Sequence, residues 1–281
     1  MSRSPQNGPV QGPGELMWTT FGAAWLVALG GFLLLWLVSL VRRDASVVDF
    51  WWGPGFAAIA LTAWWQAGLP TEPQALLLLG LIVAWALRLG LQLGARRLRE
   101  GEEDPRYAEI RDAWKPGFWW KSLFVVFLLQ AVLQGLVSVG PVMAMLSASG
   151  PVGPLGLIGG LIAIAGIVLQ TVADTQLDRF RRDTPSGGLL TTGIRAVVRF
   201  PSYLGEIIVW SGISLVALEA GIAWALLSAA LVFVLLTRVS GIPVIEERML
   251  RTRPSYAAYR DRVPAILPRK RSIGLLFQGR A

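Results

Sequence analysis

A group of polar residues, where a basic loop meets an apolar helix, is the strongest sign of chemistry in this sequence. The group is the segment Arg199, Phe200, Pro201, Ser202, Tyr203, Leu204, Gly205 and Glu206. Arg199 can bind an anion, Tyr203 can donate a hydrogen bond, and Glu206 can hold a proton. Polar groups at a membrane surface are costly and are usually functional. The segment therefore predicts a binding or catalytic site, since the alternative of a simple helix start leaves Glu206 without a role.

The composition sets the class of protein and limits the chemistry. Of 281 residues, 54% are hydrophobic and only 16% are charged, and 13 are tryptophans. Such a chain is too apolar for a soluble domain of this length. It has no cysteine and no histidine, so disulfides, thiolate nucleophiles and the usual zinc sites are not expected. No metal site is predicted, and proton transfer must depend on Asp, Glu, Tyr, Lys or Arg.

The apolar runs predict an all-α, polytopic membrane bundle of about seven transmembrane helices. The predicted spans are 17–41, 48–68, 74–93, 119–146, 155–173, 204–218 and 222–237. The last two are short and are joined by residues 219–221, which indicates a tight hairpin. We expect one membrane domain over residues 17–268, with a disordered tail at 1–16 and a basic cytoplasmic tail at 269–281. The tail at the start lacks a basic segment and a cleavage site, so the first span is expected to be retained.

The distribution of basic residues gives an independent test of this topology. The loops 69–73, 147–154 and 219–221 contain no Lys or Arg, whereas the alternate loops contain nearly all of them. The positive-inside rule then puts the N-terminus outside and the C-terminus in the cytoplasm. The net charge of +8 follows from this topology and favours membrane lipids or an anionic cofactor as partners, not nucleic acid.

Asp49 is a candidate site residue near the cytoplasmic start of the second predicted span. A carboxylate there must face other helices or water, and Gly53, Pro54 and Gly55 allow a kink that suits a pocket wall. An ion pair of Asp49 with Arg42 or Arg43 is the structural alternative. A second charged residue within a span is Arg88, which can extend to the cytosol or pair with Asp49 or Glu206.

Polar residues at steps of four end the fifth predicted span. Gln170, Asp174 and Asp178 share one helix face, followed by a basic group that includes Arg179 and by the glycine-containing loop 185–188. Such a surface suits a phosphorylated, ribose-bearing ligand, because arginines bind phosphates and carboxylates or amides bind hydroxyls. Alone, it is equally a helix end with cytoplasmic charge. The ligand hypothesis is strengthened by the candidates at the next helix entrance, which are Arg195, Arg199, Ser202, Tyr203 and Glu206.

Several motifs occur in one order along the chain. They are Asp44-x-Ser46-x-x-Asp49-x-x-Trp52-Gly53, Trp85-x-x-Arg88-Leu89, Glu103-Asp104-x-Arg106-Tyr107, Ala173-Asp174-x-Gln176-Leu177-x-x-Phe180, Arg199-x-Pro201-x-Tyr203-x-Gly205-Glu206, Ser240-Gly241-Ile242-Pro243 and Pro254-x-Tyr256-x-x-Tyr259. This pattern resembles the bacterial membrane proteins related to steroid 5-alpha-reductases. The resemblance covers residues 42 to 268.

The resemblance implies a seven-helix reductase of the cell inner membrane whose active site opens to the cytoplasm. It implies NADPH as the cofactor and a lipophilic, steroid- or isoprenoid-like alkene as the substrate. The implied cofactor residues are Gln170, Asp174, Arg179, Arg195, Arg199, Ser202, Tyr203, Glu206 and Tyr256. The implied substrate residues are Asp49, Trp52 and Trp85, and the implied catalytic residues are Asp49, Tyr203 and Glu206.

The sequence departs from the family pattern at several of these positions. The usual Arg-His-Pro-Asn-Tyr reads Arg199-Phe200-Pro201-Ser202-Tyr203, so Phe200 cannot bond a phosphate. Relatives hold the substrate carbonyl with a glutamate and a tyrosine near the positions of Asp49 and Trp85. Asp49 is shorter than glutamate, and Trp85 has no hydroxyl.

A second class of enzyme remains open at this point. Membrane methyltransferases of the isoprenylcysteine and phospholipid type share the Arg-x-Pro-x-Tyr-x-Gly element and use S-adenosylmethionine. Their tail resembles Glu246-Glu247-x-x-Leu250 followed by Tyr256-x-x-Tyr259-x-x-x-Val263. The elements 49–53 and 174–180 favour the reductase. A third alternative is a transporter or lipid-binding protein, although polar residues concentrated on one side of the membrane argue against it. Oligomeric state has no signature in the sequence.

Overall fold

The computed structural model describes residues 12–100, 103–184 and 188–269, and these residues form helices and loops without a strand. The helices are α1 (Pro13–Arg42), α2 (Asp49–Gln66), α3 (Pro73–Glu100), α4 (Pro105–Ala113), α5 (Phe118–Ser122), α6 (Leu129–Ser147), α7 (Pro154–Asp183), α8 (Pro201–Glu219), α9 (Leu226–Val234), α10 (Ile242–Thr252) and α11 (Tyr256–Arg262). A π-helical turn, Leu123–Leu128, joins α5 to α6, and another, Leu235–Val239, follows α9.

Six helical stretches in the described ranges are long and apolar enough to cross a membrane. They are Gly14–Arg42, Pro73–Arg99, Phe118–Ser147, Pro154–Asp183, Pro201–Glu219 and Ala223–Thr252. This confirms an all-helical, polytopic membrane bundle. It also confirms the hairpin between α8 and α9, in which Gly221 takes a positive φ of 87°.

The remaining predicted span, 48–68, forms α2, which is less apolar than these six stretches. It has 18 residues, begins at Asp49 and contains Pro54. Four tryptophans further lower its hydropathy relative to the leucine-rich helices. It nevertheless packs between α1 and α3, so it is a seventh helix of the bundle.

Three helices extend beyond their predicted spans. α1 begins at Pro13, within the segment that was predicted to be disordered, and residues 1–11 lie outside the described part. α3 and α7 continue to Glu100 and Asp183. Hydropathy does not detect these extensions because they are polar, and they place Arg97 and Asp178 at the same end of the bundle. The predicted tail after residue 269 also lies outside the description.

Glycines allow α7 and α8 to pack with their backbones nearly in contact. A Cβ on Gly212 would lie 2.4 Å from the carbonyl oxygen of Gly159, and one on Gly166 would lie 2.7 Å from that of Gly205. A Cβ on Gly205 would also come within 2.5 Å of the Gln170 side chain. Small residues are the usual basis of such close helix pairs in membranes. The packing sets Gln170 directly against the start of α8.

The C-terminal segment folds back onto the loop that precedes α8. The backbone N–H groups of Arg199 and Phe200 donate to the carbonyls of Pro264 and Ala265, at 2.9 and 3.1 Å. On the same side of the bundle, Asp104 caps α4 by accepting a 3.0 Å hydrogen bond from the N–H of Arg106. Both segments lie outside the apolar spans, and both contribute side chains to the candidate site.

Candidate functional site

The Asp49 side chain lies in a polar network where α2 begins. Its Oδ1 accepts a 2.5 Å hydrogen bond from the Tyr107 hydroxyl, and its Oδ2 accepts one of 3.1 Å from Arg106. Gln130 donates to the same hydroxyl at 3.3 Å, and Arg106 also binds Asp104 at 3.0 Å. These five residues are called the Asp49 cluster below. An acid and a phenol are joined directly in it, so that one proton can be held between them.

The neighbouring charges shift the pKa values of the groups that the α4 region contributes. Burial raises the pKa of the Tyr107 hydroxyl well above its ordinary value, and the Asp49 carboxylate raises it further. Burial also raises the pKa of Asp104, but the hydrogen bonds and charge of Arg106 outweigh it and leave that pKa lowered. Burial opposes the charge of Arg106, yet the two carboxylates raise its pKa overall. Tyr107 is therefore neutral and Arg106 charged at physiological pH.

Four of the predicted cofactor residues meet where α7 packs against α8. The Ser202 hydroxyl donates a 2.7 Å hydrogen bond to Asp174, which also pairs with Arg88 of α3. The Gln170 amide donates to Glu206 and, at 3.4 Å, to the carbonyl of Ser202. These five residues are called the Asp174 cluster below. The cluster joins three helices at the level where their apolar spans end.

Three N–H groups surround the Glu206 carboxylate. The indoles of Trp85 and Trp210 donate to it at 3.0 and 3.1 Å, and the third donor is Gln170. Trp85 is fully buried, with its ring centroid 5.1 Å from that of Phe56 and 5.0 Å from that of Trp210. In this structure Trp85, predicted to bind substrate, holds Glu206 in place.

The other tryptophan predicted to bind substrate, Trp52, borders the same aromatic group. Its ring meets Phe56 edge-on at a centroid distance of 5.5 Å, and its carbonyl accepts a 2.8 Å hydrogen bond from Gln134. Trp52 is partly buried and packs against both the main core and the apolar group around Tyr107. It therefore lies between the core and the Asp49 cluster.

Tyr203 and Arg195 lie near charged members of the two clusters. The Tyr203 ring stacks on Phe200 at 5.8 Å, and its hydroxyl is within electrostatic range of Arg106 and Asp49. Arg195 is within range of Tyr203 and Asp174. Its Nη1 donates to the carbonyl of Arg199 at 2.8 Å, but its Nε is buried without a hydrogen-bond partner. Burial lowers the pKa of Arg195, and no carboxylate in the described part of the chain forms an ion pair with it.

Arg199 binds the C-terminal segment. Its Nη1 donates to the carbonyls of Arg260, at 2.9 Å, and Val263, and its Nη2 pairs with Glu246. Tyr256, another predicted cofactor residue, donates to the same carboxylate at 3.3 Å. In the structure these two residues act as positioning groups, because they fasten the tail to the start of α8.

The remaining candidates lie at the end of α7, and they differ in their surroundings. Asp178 accepts 2.9 Å hydrogen bonds from Gln92 and Arg99 of α3, so the predicted row of polar residues continues along one face. Arg179, a predicted cofactor residue, is exposed. Most of the glycine-containing loop that follows, residues 185–187, lies outside the described part of the chain.

Two alternatives left open by the sequence are decided by these contacts. Asp49 pairs with Arg106, not with Arg42 or Arg43. Arg88 pairs with Asp174, not with Asp49 or Glu206.

Residues 35–263 match the model of a family described as "Protein of unknown function (DUF1295)". The chain belongs to this family. No curated protein and no solved structure matches the chain. The DUF1295 match spans every member of the Asp49 and Asp174 clusters, together with Arg195, Arg199 and Tyr203, so the candidate site is part of the family domain.

Sequence reasoning missed three members of the candidate site, Asp104, Arg106 and Tyr107. All three belong to the motif Glu103-Asp104-x-Arg106-Tyr107, but none was assigned a role. Their helix, α4, is short and polar, and its sequence does not indicate which span it contacts. The rarity of tyrosine could have indicated Tyr107 as a site residue, since the chain has only 4 tyrosines. Trp210 was also missed, although it lies one helical turn after Glu206.

Proposed function

We propose that this DUF1295 protein is a membrane reductase that uses NADPH to reduce an activated C=C bond of a lipophilic, steroid- or isoprenoid-like substrate. The main support is the position of Tyr203. It interacts electrostatically with Asp49 and Arg106, while Arg195 interacts with both Tyr203 and Asp174. In this proposal a ligand that binds beside Tyr203 lies near groups of both clusters. Reduction requires the cofactor and the substrate to lie side by side, because the hydride donor and its acceptor must be in contact.

The residues on the Asp174 side fit a phosphorylated nucleotide that carries hydroxyl and amide groups. Arg195 Nε and Gln170 Oε1 are buried polar atoms without hydrogen-bond partners among the described residues. Such atoms are costly unless a ligand or water satisfies them. Arg195 would bind a phosphate of NADPH, and Gln170, Asp174 and Ser202 would bind hydroxyl or amide groups. When bound, NADPH supplies the hydride.

The residues on the Asp49 side fit a carbonyl group conjugated to the C=C bond. As the β carbon gains a hydride, negative charge develops on the carbonyl oxygen and must be stabilised until the α carbon gains a proton. The Tyr107 hydroxyl is the hydrogen-bond donor in this proposal, because it is joined directly to Asp49 Oδ1 while Arg106 binds the other oxygen of that carboxylate at 3.1 Å. In the structure the phenol donates its one proton to Asp49, and in this proposal it turns from that carboxylate to the carbonyl oxygen of the substrate. The phenol of Tyr107 supplies the hydroxyl that relatives have on a tyrosine near the position of Trp85.

Ligand-dependent thermal stability of the detergent-purified protein tests the proposal, because a ligand that binds the native state raises the midpoint. NADPH should raise the midpoint, and Arg195→Gln should abolish the rise while Arg195→Lys keeps part of it. The exposed Arg238 supplies a matched control, and Arg238→Gln should keep the full shift. A wild-type protein that NADPH does not stabilise, in the presence or absence of an enone, would contradict the proposal.

A membrane methyltransferase is the second candidate, and the tail contacts favour it. Arg199, Glu246 and Tyr256 form one connected network with the carbonyl of Val263. These positions lie in the two elements that resemble the methyltransferases. A rise in the midpoint with S-adenosylmethionine and none with NADPH would favour this candidate over the reductase.

The proposed reaction takes place at the cytoplasmic face of the inner membrane. Both clusters lie at the end of the bundle that has the basic loops, and this end is cytoplasmic under the positive-inside rule. A water-soluble cofactor can reach the site from that side. The lipophilic substrate would enter from the surrounding lipid.

A further inference from the structure

A cavity lies at the end of the bundle opposite to both clusters. Its volume is about 300 Å³, and it is formed where α3 and α7 begin and where α6 and α8 end. The polar lining comes mainly from Gln74, Ser147, Ser149 and Glu219, and Gly150 lies on its wall. This volume is at the lower limit of small-molecule sites and suits a headgroup-sized ligand.

Several hydrogen bonds fix the cavity wall around Glu219. Its carboxylate accepts hydrogen bonds from the backbone N–H groups of Gly153 and Gly156, at 3.0 and 2.9 Å, and from the Gln74 amide at 3.2 Å. A Cβ on Gly153 or Gly156 would lie 2.6 or 2.2 Å from a carboxylate oxygen, so both positions must be glycine for this contact. Glu219 of α8 thus caps α7 and fixes the shape of the cavity.

The charge at this end of the bundle is negative. Its charged residues, within the described ranges, are Glu15, Glu72 and Glu219, with no Lys or Arg. Glu72 lies two residues before Gln74, and its Oε2 is buried without a hydrogen-bond partner. An anion would find no counter-charge here, whereas a cation that carries N–H donors would find carboxylate and hydroxyl acceptors.

The cavity also lies at the depth of lipid headgroups. Trp18, near the start of α1, stacks on Trp224, near the start of α9, with ring centroids 6.3 Å apart. Tryptophans concentrate where the apolar core of a membrane meets the headgroups. A ligand at this level is most directly supplied by the lipid leaflet itself.

We propose that this cavity binds the primary ammonium headgroup of an ethanolamine phospholipid. The ammonium group donates hydrogen bonds to acceptors of the cavity lining, such as the hydroxyls of Ser147 and Ser149, and its charge offsets that of Glu219. The acyl chains lie along the outer surface of the bundle. This lipid site is independent of the reductase proposal, because it is at the opposite end of the bundle.

Native mass spectrometry of the full-length protein, released from nanodiscs of defined lipid, tests this site. The wild type should retain an ethanolamine phospholipid roughly tenfold better than the choline analogue, whose nitrogen has no N–H to donate. It should retain the glycerol analogue no better than choline, since that headgroup is anionic. Equal retention of all three lipids would overturn the proposal.

A blocking variant separates loss of the site from loss of the fold. The Cβ position of Gly150 meets open space, so Gly150→Trp can fill the cavity without disturbing the Glu219 contacts. This variant should lose the preference for ethanolamine lipid and keep the wild-type thermal midpoint in lipid-free detergent. Gly80→Trp, which also projects into open space, is the matched control and should keep the preference. Retention of the preference in Gly150→Trp would overturn the proposed location.

Discussion

Arg88 of α3 and Asp174 of α7 form an ion pair at the end of the bundle that holds the candidate site. The two side chains are only 13% and 17% exposed, and Ser202 of α8 donates a 2.7 Å hydrogen bond to the same carboxylate. One carboxylate therefore joins three helices. It also fixes Ser202, the residue that precedes Tyr203.

Removal of one partner from this pair should strongly destabilise the protein. Arg88→Met leaves a largely buried carboxylate without its counter-charge, which typically costs about 3 kcal/mol in free energy of unfolding. The measurement is denaturant unfolding in detergent. The double variant Arg88→Met, Asp174→Asn should recover part of the loss, because it leaves no unpaired charge. A double variant as unstable as the sum of the two single variants would show that the pair is not coupled.

The helical bundle and most of the Asp174 cluster could be predicted from the sequence. Long apolar runs identify spans wherever they occur, and Gln170, Asp174 and the start of α8 were predicted to form one site. The partner of Arg88 could not be predicted, because periodicity gives the face of a helix but not its neighbour. Tyr107 was missed for a related reason, since only the docking of α4 brings its hydroxyl to Asp49.

Tyr107→Phe should separate catalysis from cofactor binding. The variant loses the hydroxyl that donates to Asp49 but keeps the ring within its apolar surroundings. Loss of one such donor typically slows the chemical step by about a hundredfold. Turnover of an enone by NADPH consumption measures the rate, and the thermal shift with NADPH should stay unchanged. A variant with full turnover would exclude Tyr107 as the donor.

The close packing of α7 and α8 should not tolerate a single added methyl group. In Gly212→Ala the new Cβ would lie 2.4 Å from the carbonyl oxygen of Gly159 and 2.5 Å from the backbone nitrogen of Ala163. Backbone cannot move aside as a side chain can, so we expect a loss of about 1–3 kcal/mol in free energy of unfolding. Gly80→Ala is the control and should be neutral or slightly stabilising, because its Cβ meets open space. Equal stability of the two variants would argue against this helix contact.

The C-terminal tyrosines should make the protein sensitive to alkaline pH. Burial raises the pKa values of Tyr256 and Tyr259 from 10.0 to about 12, with Glu246 adding to the shift of Tyr256. Unfolded tyrosines lose their protons near pH 10, so the folded state binds more protons above that pH. The free energy of unfolding should therefore fall as the pH rises from about 10 to about 12.

Phenylalanine variants identify the source of this alkaline loss. Tyr259→Phe removes the 2.6 Å hydrogen bond to the carbonyl of Arg195 and should lower stability at neutral pH. The same variant should show a shallower decline above pH 10, measured as the thermal midpoint over a pH series. A decline as steep as that of the wild type would assign the alkaline loss to other groups.

The return of the tail to the start of α8 has a consequence for biosynthesis. The Arg199 guanidinium donates to the carbonyls of Arg260 and Val263, and the backbone N–H of Arg199 donates to Pro264. A nascent chain enters the membrane while these partners are still unsynthesised. Until they emerge from the ribosome, Arg199 must be solvated by water at the bilayer surface. Assembly of the site is thus among the last steps of folding, and a chain that stops short of Val263 can insert its spans without ever completing the site.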